Sequence, residues 1–226
     1  MIKINYLTDI NIIEPILNSY INDINKIYNK KYSCEKNIFY DDLNTQIETE
    51  ISSNSKKNIK KKIISATNKI NNKMHKKLMD IKNLYIWNIC ITKNNFMFNC
   101  PTTLSNVIFI PYRIIALDNF ETILIHEKIH VFQRFNFDKW NNYIIKNTNF
   151  ILSPPVYIKN ELYNPDTLYN FTYVYKINNK KIKGYLDKEL NVKWMHNNKN
   201  FESDELPKYE HPYEVYAYEM SEFIVK

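Results

Sequence analysis

Apolar residues recur at helical spacing over residues 8–28, where Ile13, Ile16, Leu17, Tyr20, Ile21, Ile24, Ile27 and Tyr28 share one side. Pro15 fits that helix only near its start, because an interior proline lacks the N–H its helix needs. A weaker helical pattern runs over residues 40–51. Residues 52–62 are polar and lysine-rich and read as a loop or link. Helical spacing then resumes with Ile59, Ile63, Ala66, Ile70, Met74, Leu78 and Ile81. His75, among lysines, reads as exposed.

At Leu84 the period changes from helix to strand. Residues 84–92 alternate and carry Tyr85, Trp87, Ile89 and Ile91. Lys93-Asn94-Asn95 reads as a turn from which residues 96–99 could pair back, and Pro101 ends the run. Residues 107–115 form a second apolar strand, which Pro111 confines to an edge or a bulge. Asp118 with Glu121 three residues on gives a capping-box start to a helix reaching about Phe135. A shorter helix holds Trp140, Tyr143 and Ile144. The chain is expected to be extended after Pro154-Pro155 and to turn at Asn164-Pro165-Asp166-Thr167. Residues 171–177 and 181–186 alternate around Asn178-Asn179-Lys180 as a hairpin, and His211-Pro212 opens a C-terminal helix. The order of elements predicts an α+β fold: N-terminal helices over residues 1–83, then a small mixed sheet and three further helices over 84–226, in one domain.

Composition narrows the classes without choosing among them. The chain has 226 residues, a formal charge of +7 and a single glycine. One glycine, Gly184, excludes Gly-rich phosphate loops and dinucleotide fingerprints. Only Arg113 and Arg134 are arginines, and Asn, Ile, Lys and Tyr abound, as an AT-rich genome would dictate. The positive charge therefore reads as a lysine-studded surface, and nucleic acid is an unexpected partner. Three cysteines, Cys34, Cys90 and Cys100, with no apolar run long enough to span a bilayer and no signal-peptide pattern, point to a reducing, intracellular setting. Trp87, Trp140 and Trp194 read as core or interface residues.

Chemistry concentrates in His126-Glu127-Lys128-Ile129-His130. Histidines at i and i+4 stack on one helix face, close enough to share a metal. Glu127, about 100° round the helix, can act on a metal-activated water without being a ligand. A single Zn²⁺ per chain is the cofactor this spacing suggests, and it needs a third protein ligand. His196, Glu210, His211, Glu214 and Glu219 are the candidates. Glu214 draws most interest, since Pro212 starts its helix and small Ala217 lets that helix come close. A carboxylate in a first helical turn is also favoured with no metal present. Hydrolysis would need an oxyanion donor; His211, Arg134, Tyr169 and Tyr173 are all available, and Gln133 could orient a histidine.

The chain resembles zincin-type metallopeptidases of the gluzincin kind, in which a His-Glu-x-x-His helix is followed by a glutamate ligand on a later helix. The tail is similar to the Asn-Pro-x-Glu-x-x-Ala pattern of such families, with His211 in place of the asparagine. The resemblance covers residues 84–226. It implies a zincin-like fold, His126, His130 and Glu214 as zinc ligands, Glu127 as general base, and a peptide or protein substrate. It also implies that the substrate pairs with an edge strand bearing Val107, Phe109 and Pro111. Two rival expectations stand beside it: a degenerate zincin that holds zinc as an interaction module, and a lysine-rich nucleic-acid-binding protein with incidental histidines.

Overall fold

The computed structural model describes residues 1–27, 47–93, 99–154, 166, 172–187, 189–197 and 199–226. In order these form β1 (Lys3–Tyr6), α1 (Ile10–Ile27), α2 (Ser53–Lys73), α3 (Ile81–Leu84), β2 (Ile86–Thr92), β3 (Thr102–Leu104) and β4 (Val107–Pro111). A 3₁₀ segment (Tyr112–Ala116) leads to α4 (Phe120–Phe135) and α5 (Phe137–Asn147). Then come β5 (Phe150–Ser153), β6 (Thr172–Ile177), β7 (Lys180–Leu186), β8 (Val192–His196), β9 (Lys199–Asn200) and α6 (Pro212–Val225). The architecture is α+β.

The first sheet is mixed, with strand order β1-β2-β4-β3; β1 and β4 run parallel to β2, and β3 is antiparallel to β4. Alternation along its two central strands sorts side chains to two faces. Cys90, Val107 and Phe109 pack with Ile13, Leu17 and Tyr20 of α1, whereas Trp87, Ile89, Ile91, Ile108 and Ile110 join the larger core with α2 and α4. Burial on both faces is why Val107–Pro111 reads as an unbroken apolar run. The Trp87 indole donates to Thr67 and the Trp140 indole to the Leu78 carbonyl, so both large rings are buried with their polar atoms satisfied.

The second sheet, β5-β6-β7-β8-β9, is antiparallel throughout. Its β6–β7 hairpin turns at Asn178 and Asn179, both at positive φ (46° and 61°). A two-residue hairpin turn of that hand favours asparagine. Phe150, Tyr173, Ile177, Ile182 and Trp194 enter the same core as Trp140 and Ile144 of α5 and Tyr213 and Tyr216 of α6.

Several expectations need correction. Residues 52–62 are not a loop: the Ser52 hydroxyl accepts from the Ser55 amide and caps α2, whose lysines face outward while Ile59 and Ile63 are buried. The strand bearing Val107, Phe109 and Pro111 is not an edge. It lies between β2 and β3, it ends at Pro111, and all three residues are buried. Pro111 is tolerated there because the chain leaves the sheet at that point. The edge on that side is β3, a strand hidden from the sequence reading because it follows Pro101 at once, and β1 is the other edge. Asn119, not Asp118, is the N-cap of α4 and makes no side-chain cap bond; Glu121 instead accepts from Ser65 and pairs with Lys69 of α2. The helix of α1 begins at Ile10 and continues through Pro15. Expectations for residues 40–46, 94–98, 155–165 and 167–171, and for Cys34 and Tyr169, lie outside the described residues.

Candidate metal centre

The motif helix α4 is enclosed along its middle, with every residue from Leu124 to Gln133 buried. Helix α6 packs beside it. Ala217 is fully buried, as close approach of the two helices requires. This packing brings Glu214, in the first turn of α6, to the two histidines of α4. His126 Nε2 and His130 Nε2 lie 3.0 Å apart, and each is 3.4 Å from a Glu214 carboxylate oxygen. All three residues are buried, and they could hold a metal ion. A tetrahedral ion with bonds of about 2.0–2.1 Å sets its ligand atoms about 3.3–3.4 Å apart; the two contacts to Glu214, one to each oxygen, match this, and the 3.0 Å between the imidazoles is shorter. Among the described residues no fourth His, Cys, Asp or Glu joins the group.

The orientation of His130 is fixed from behind. Its Nδ1 lies 2.7 Å from Gln133 Oε1, and Gln133 Nε2 donates to the Tyr213 carbonyl at 3.1 Å. The amide oxygen can only accept, so Nδ1 carries a proton, and loss of the second proton from the ring would leave the Nε2 lone pair facing the site. Gln133 thus ties the two ligand helices together and is fully buried. His126 has no such support among the described residues: its buried Nδ1 has no hydrogen-bond partner there, and Tyr218 covers its ring at 4.3 Å between centroids. Tyr218, one turn beyond Glu214, stacks flat on Tyr209 at 4.1 Å.

Electrostatics follow from three buried acids around two histidines. Burial would lower the pKa of His130, but Glu214 and then Asp166 outweigh it and raise it to about 10. Burial would raise that of Glu214; His130 and His126 hold it well below the usual carboxylate range instead. Glu127 goes the other way, well above that range, through burial and then the neighbouring Asp166. Two adjacent carboxylates therefore diverge: Glu214 is the anion and Glu127 the group that favours a proton.

Glu127 is held by a neighbour that sequence reading missed. The Thr103 hydroxyl, on edge strand β3, lies 2.9 Å from Glu127 Oε2 and 3.0 Å from the Glu127 carbonyl oxygen, to either of which it can donate. Thr103 is itself clamped, its amide donating to Asp166 at 2.7 Å and its carbonyl accepting from Arg134 at 2.8 Å. Asp166 was legible only as part of a turn. Its contact with Thr103 spans 63 residues and leaves no spacing signal.

The remaining nominees divide. His211 is buried and caps α6, its Nδ1 accepting from the Tyr213 amide at 3.2 Å. The neutral ring then carries its proton on Nε2, which has no hydrogen-bond partner among the described residues. Burial, then Lys183, holds the His211 pKa well below its ordinary value, so the ring stays neutral. Arg134 is engaged with Thr103. Tyr173 donates to Asn141. His196 pairs with the Lys181 carbonyl in the second sheet, and Glu219 is exposed. Glu210 is buried beside His211 and outside the three-residue group. No membrane-spanning helix occurs among the described residues. Comparison with protein-family models, with curated proteins and with solved structures finds no match to this chain.

Proposed function

We propose that the chain is a zinc-dependent peptidase with a zincin-like fold, hydrolysing peptide bonds of a peptide or protein substrate. The observation that carries this reading is convergence: two histidines one turn apart and a carboxylate 84 residues downstream of His130 meet at one buried site, their ligand atoms 3.0–3.4 Å apart. Two neutral imidazoles and one carboxylate suit zinc, and three protein ligands leave a fourth position for water or substrate. A zinc ion bound there would supply Lewis acidity, bringing a water toward deprotonation near neutral pH.

The chain's own residues supply the proton handling and the order. The Glu127 carboxylate takes the proton from the attacking water and delivers it to the leaving amine. Its raised proton affinity suits holding that proton between the two steps. Thr103 donates to the carboxylate and keeps it from turning away. Gln133 fixes the His130 ring. His211 offers a buried, neutral N–H with no acceptor among the described residues, which suits an oxyanion donor. Glu127→Gln is expected to lower hydrolysis by about 10²–10⁴-fold while leaving bound zinc unchanged. A Glu127→Gln protein that still cleaves at the wild-type rate contradicts the mechanism.

One observation favours a second reading, a zinc-holding interaction module that cleaves nothing. Asp166 and Arg134 occupy both main-chain groups of Thr103 on the edge strand beside Glu127, where a peptide would pair. Wild-type protein that holds stoichiometric zinc and leaves a diverse peptide mixture intact would favour this reading.

A further inference from the structure

In a chain with one glycine, the place of that glycine is informative. Gly184 lies in β7, paired with Trp194 of β8, and its φ is not positive. Backbone freedom does not explain it. Close approach does: a Cβ on Gly184 would stand 2.5 Å from the Glu210 carbonyl oxygen, 2.8 Å from its Cα and 3.0 Å from its carbonyl carbon. These are backbone atoms that cannot rotate aside. Glu210 immediately precedes His211, the N-cap of α6, and Glu214 follows in the first turn. The second sheet therefore bears on the chain where the helix of the third ligand is launched.

The start of α6 is gripped from two sides. From α4, Gln133 donates to the Tyr213 carbonyl. From the second sheet, β7 presses on Glu210, and Tyr173 of β6 packs edge-on against His211 at 5.0 Å. We infer that Gly184 is a positioning residue for the metal centre: its missing side chain lets Glu210 seat against β7, which places Glu214 on the two histidines. This rests on the three-residue metal reading and gives the second sheet a role in it.

The test uses zinc alone as the probe, with affinity read by competition against a chromophoric chelator. Gly184→Ala is expected to lose about 10–100-fold in zinc affinity, the range for residues that act through a ligand. In a Glu214→Gln background the same substitution should change zinc affinity little, because its effect passes through Glu214. Unchanged affinity in Gly184→Ala, or an equal loss in both backgrounds, overturns the inference. A crystal structure of metal-free Gly184→Ala decides independently of binding. Displacement of Glu214 from the histidines supports positioning, and retention of both 3.4 Å contacts refutes it. If wild type takes up no zinc, the metal reading falls, while that structure still decides whether Gly184 places Glu214. Should Gly184→Ala fail to fold, hydrogen exchange on wild type serves: zinc should slow amide exchange in residues 183–186 as well as 209–215. Slowing confined to α4 and α6 overturns the proposal.

Discussion

The two helices that meet at the metal centre are held in opposite ways. Helix α4 runs through the core, buried along ten consecutive residues and flanked by α2, α6 and the first sheet. Its two histidines need only helical geometry to face the same point. Helix α6 is tied at its start by Gln133, by the His211 cap and by the Gly184 contact, and along its length it buries only one side: in its last turn Ile224 is 1% exposed and Phe223 64%. Two-thirds of the ligand set is thus local and preformed, and the last third depends on tertiary placement.

That contrast can be broken most directly at the placed ligand. Glu214→Ala is expected to lower zinc affinity by more than the ~10–100-fold cost of losing a residue behind a ligand. Titration against a competing chelator checks this, and near-wild-type affinity would show that the two histidines suffice. Gln133→Ala removes the tie between the helices and the acceptor of the His130 proton at once. Its expected loss lies within about 10–100-fold, with the helical circular dichroism preserved. An unchanged affinity would mean that α6 holds its position without the tie.

The local half was largely legible and the placed half was not. Histidines at i and i+4, the apolar periodicity of α4, the Asn178-Asn179 hairpin and Pro212 at a helix start are short-range patterns, and the structure contains each of them. Thr103, Asp166 and Gly184 act across long stretches of sequence. Thr103 reaches Glu127 from a three-residue strand behind a proline, and Asp166 reaches Thr103 from a turn. Nothing local distinguishes such residues from an ordinary strand or turn. The lysine-rich start of α2 misled for a different reason: its buried isoleucines are spaced among so many lysines that polarity outweighed periodicity.

A smaller effect tests how the ligands are charged before metal binds. With its pKa raised to about 10, His130 is protonated at neutral pH in the metal-free protein, so zinc must displace that proton. Zinc affinity should therefore rise about tenfold per pH unit across the neutral range, provided other ligands keep their charge. A flat profile would show that His130 holds no proton when metal-free.

The smallest effect sharpens the other side of the comparison, the enclosure of α4. Lys128 is buried there, its Nζ donating to the Ile86 carbonyl at 2.5 Å and lying 4.5 Å from the centre of the Trp87 ring. Burial lowers its pKa to about 7, whereas a lysine in the unfolded chain titrates near 10.4. Between those values the unfolded chain binds more protons, so this group makes stability rise with pH from about 7 to about 10 and costs most below that window. Lys128→Met should raise stability near pH 7 by ~1–3 kcal/mol and flatten that rise, as read from urea midpoints at several pH values. A loss of stability would show that the hydrogen bond and the indole contact outweigh burial.

The central claim is that His126, His130 and Glu214 hold one zinc ion. Anomalous diffraction at the zinc edge, from protein purified without chelator or histidine tag, tests it most directly. The expected result is one peak per chain about 2.0–2.2 Å from both Nε2 atoms and a Glu214 oxygen. A structure at full zinc occupancy in which Glu214 lies outside coordination distance, or in which zinc binds elsewhere, would contradict it.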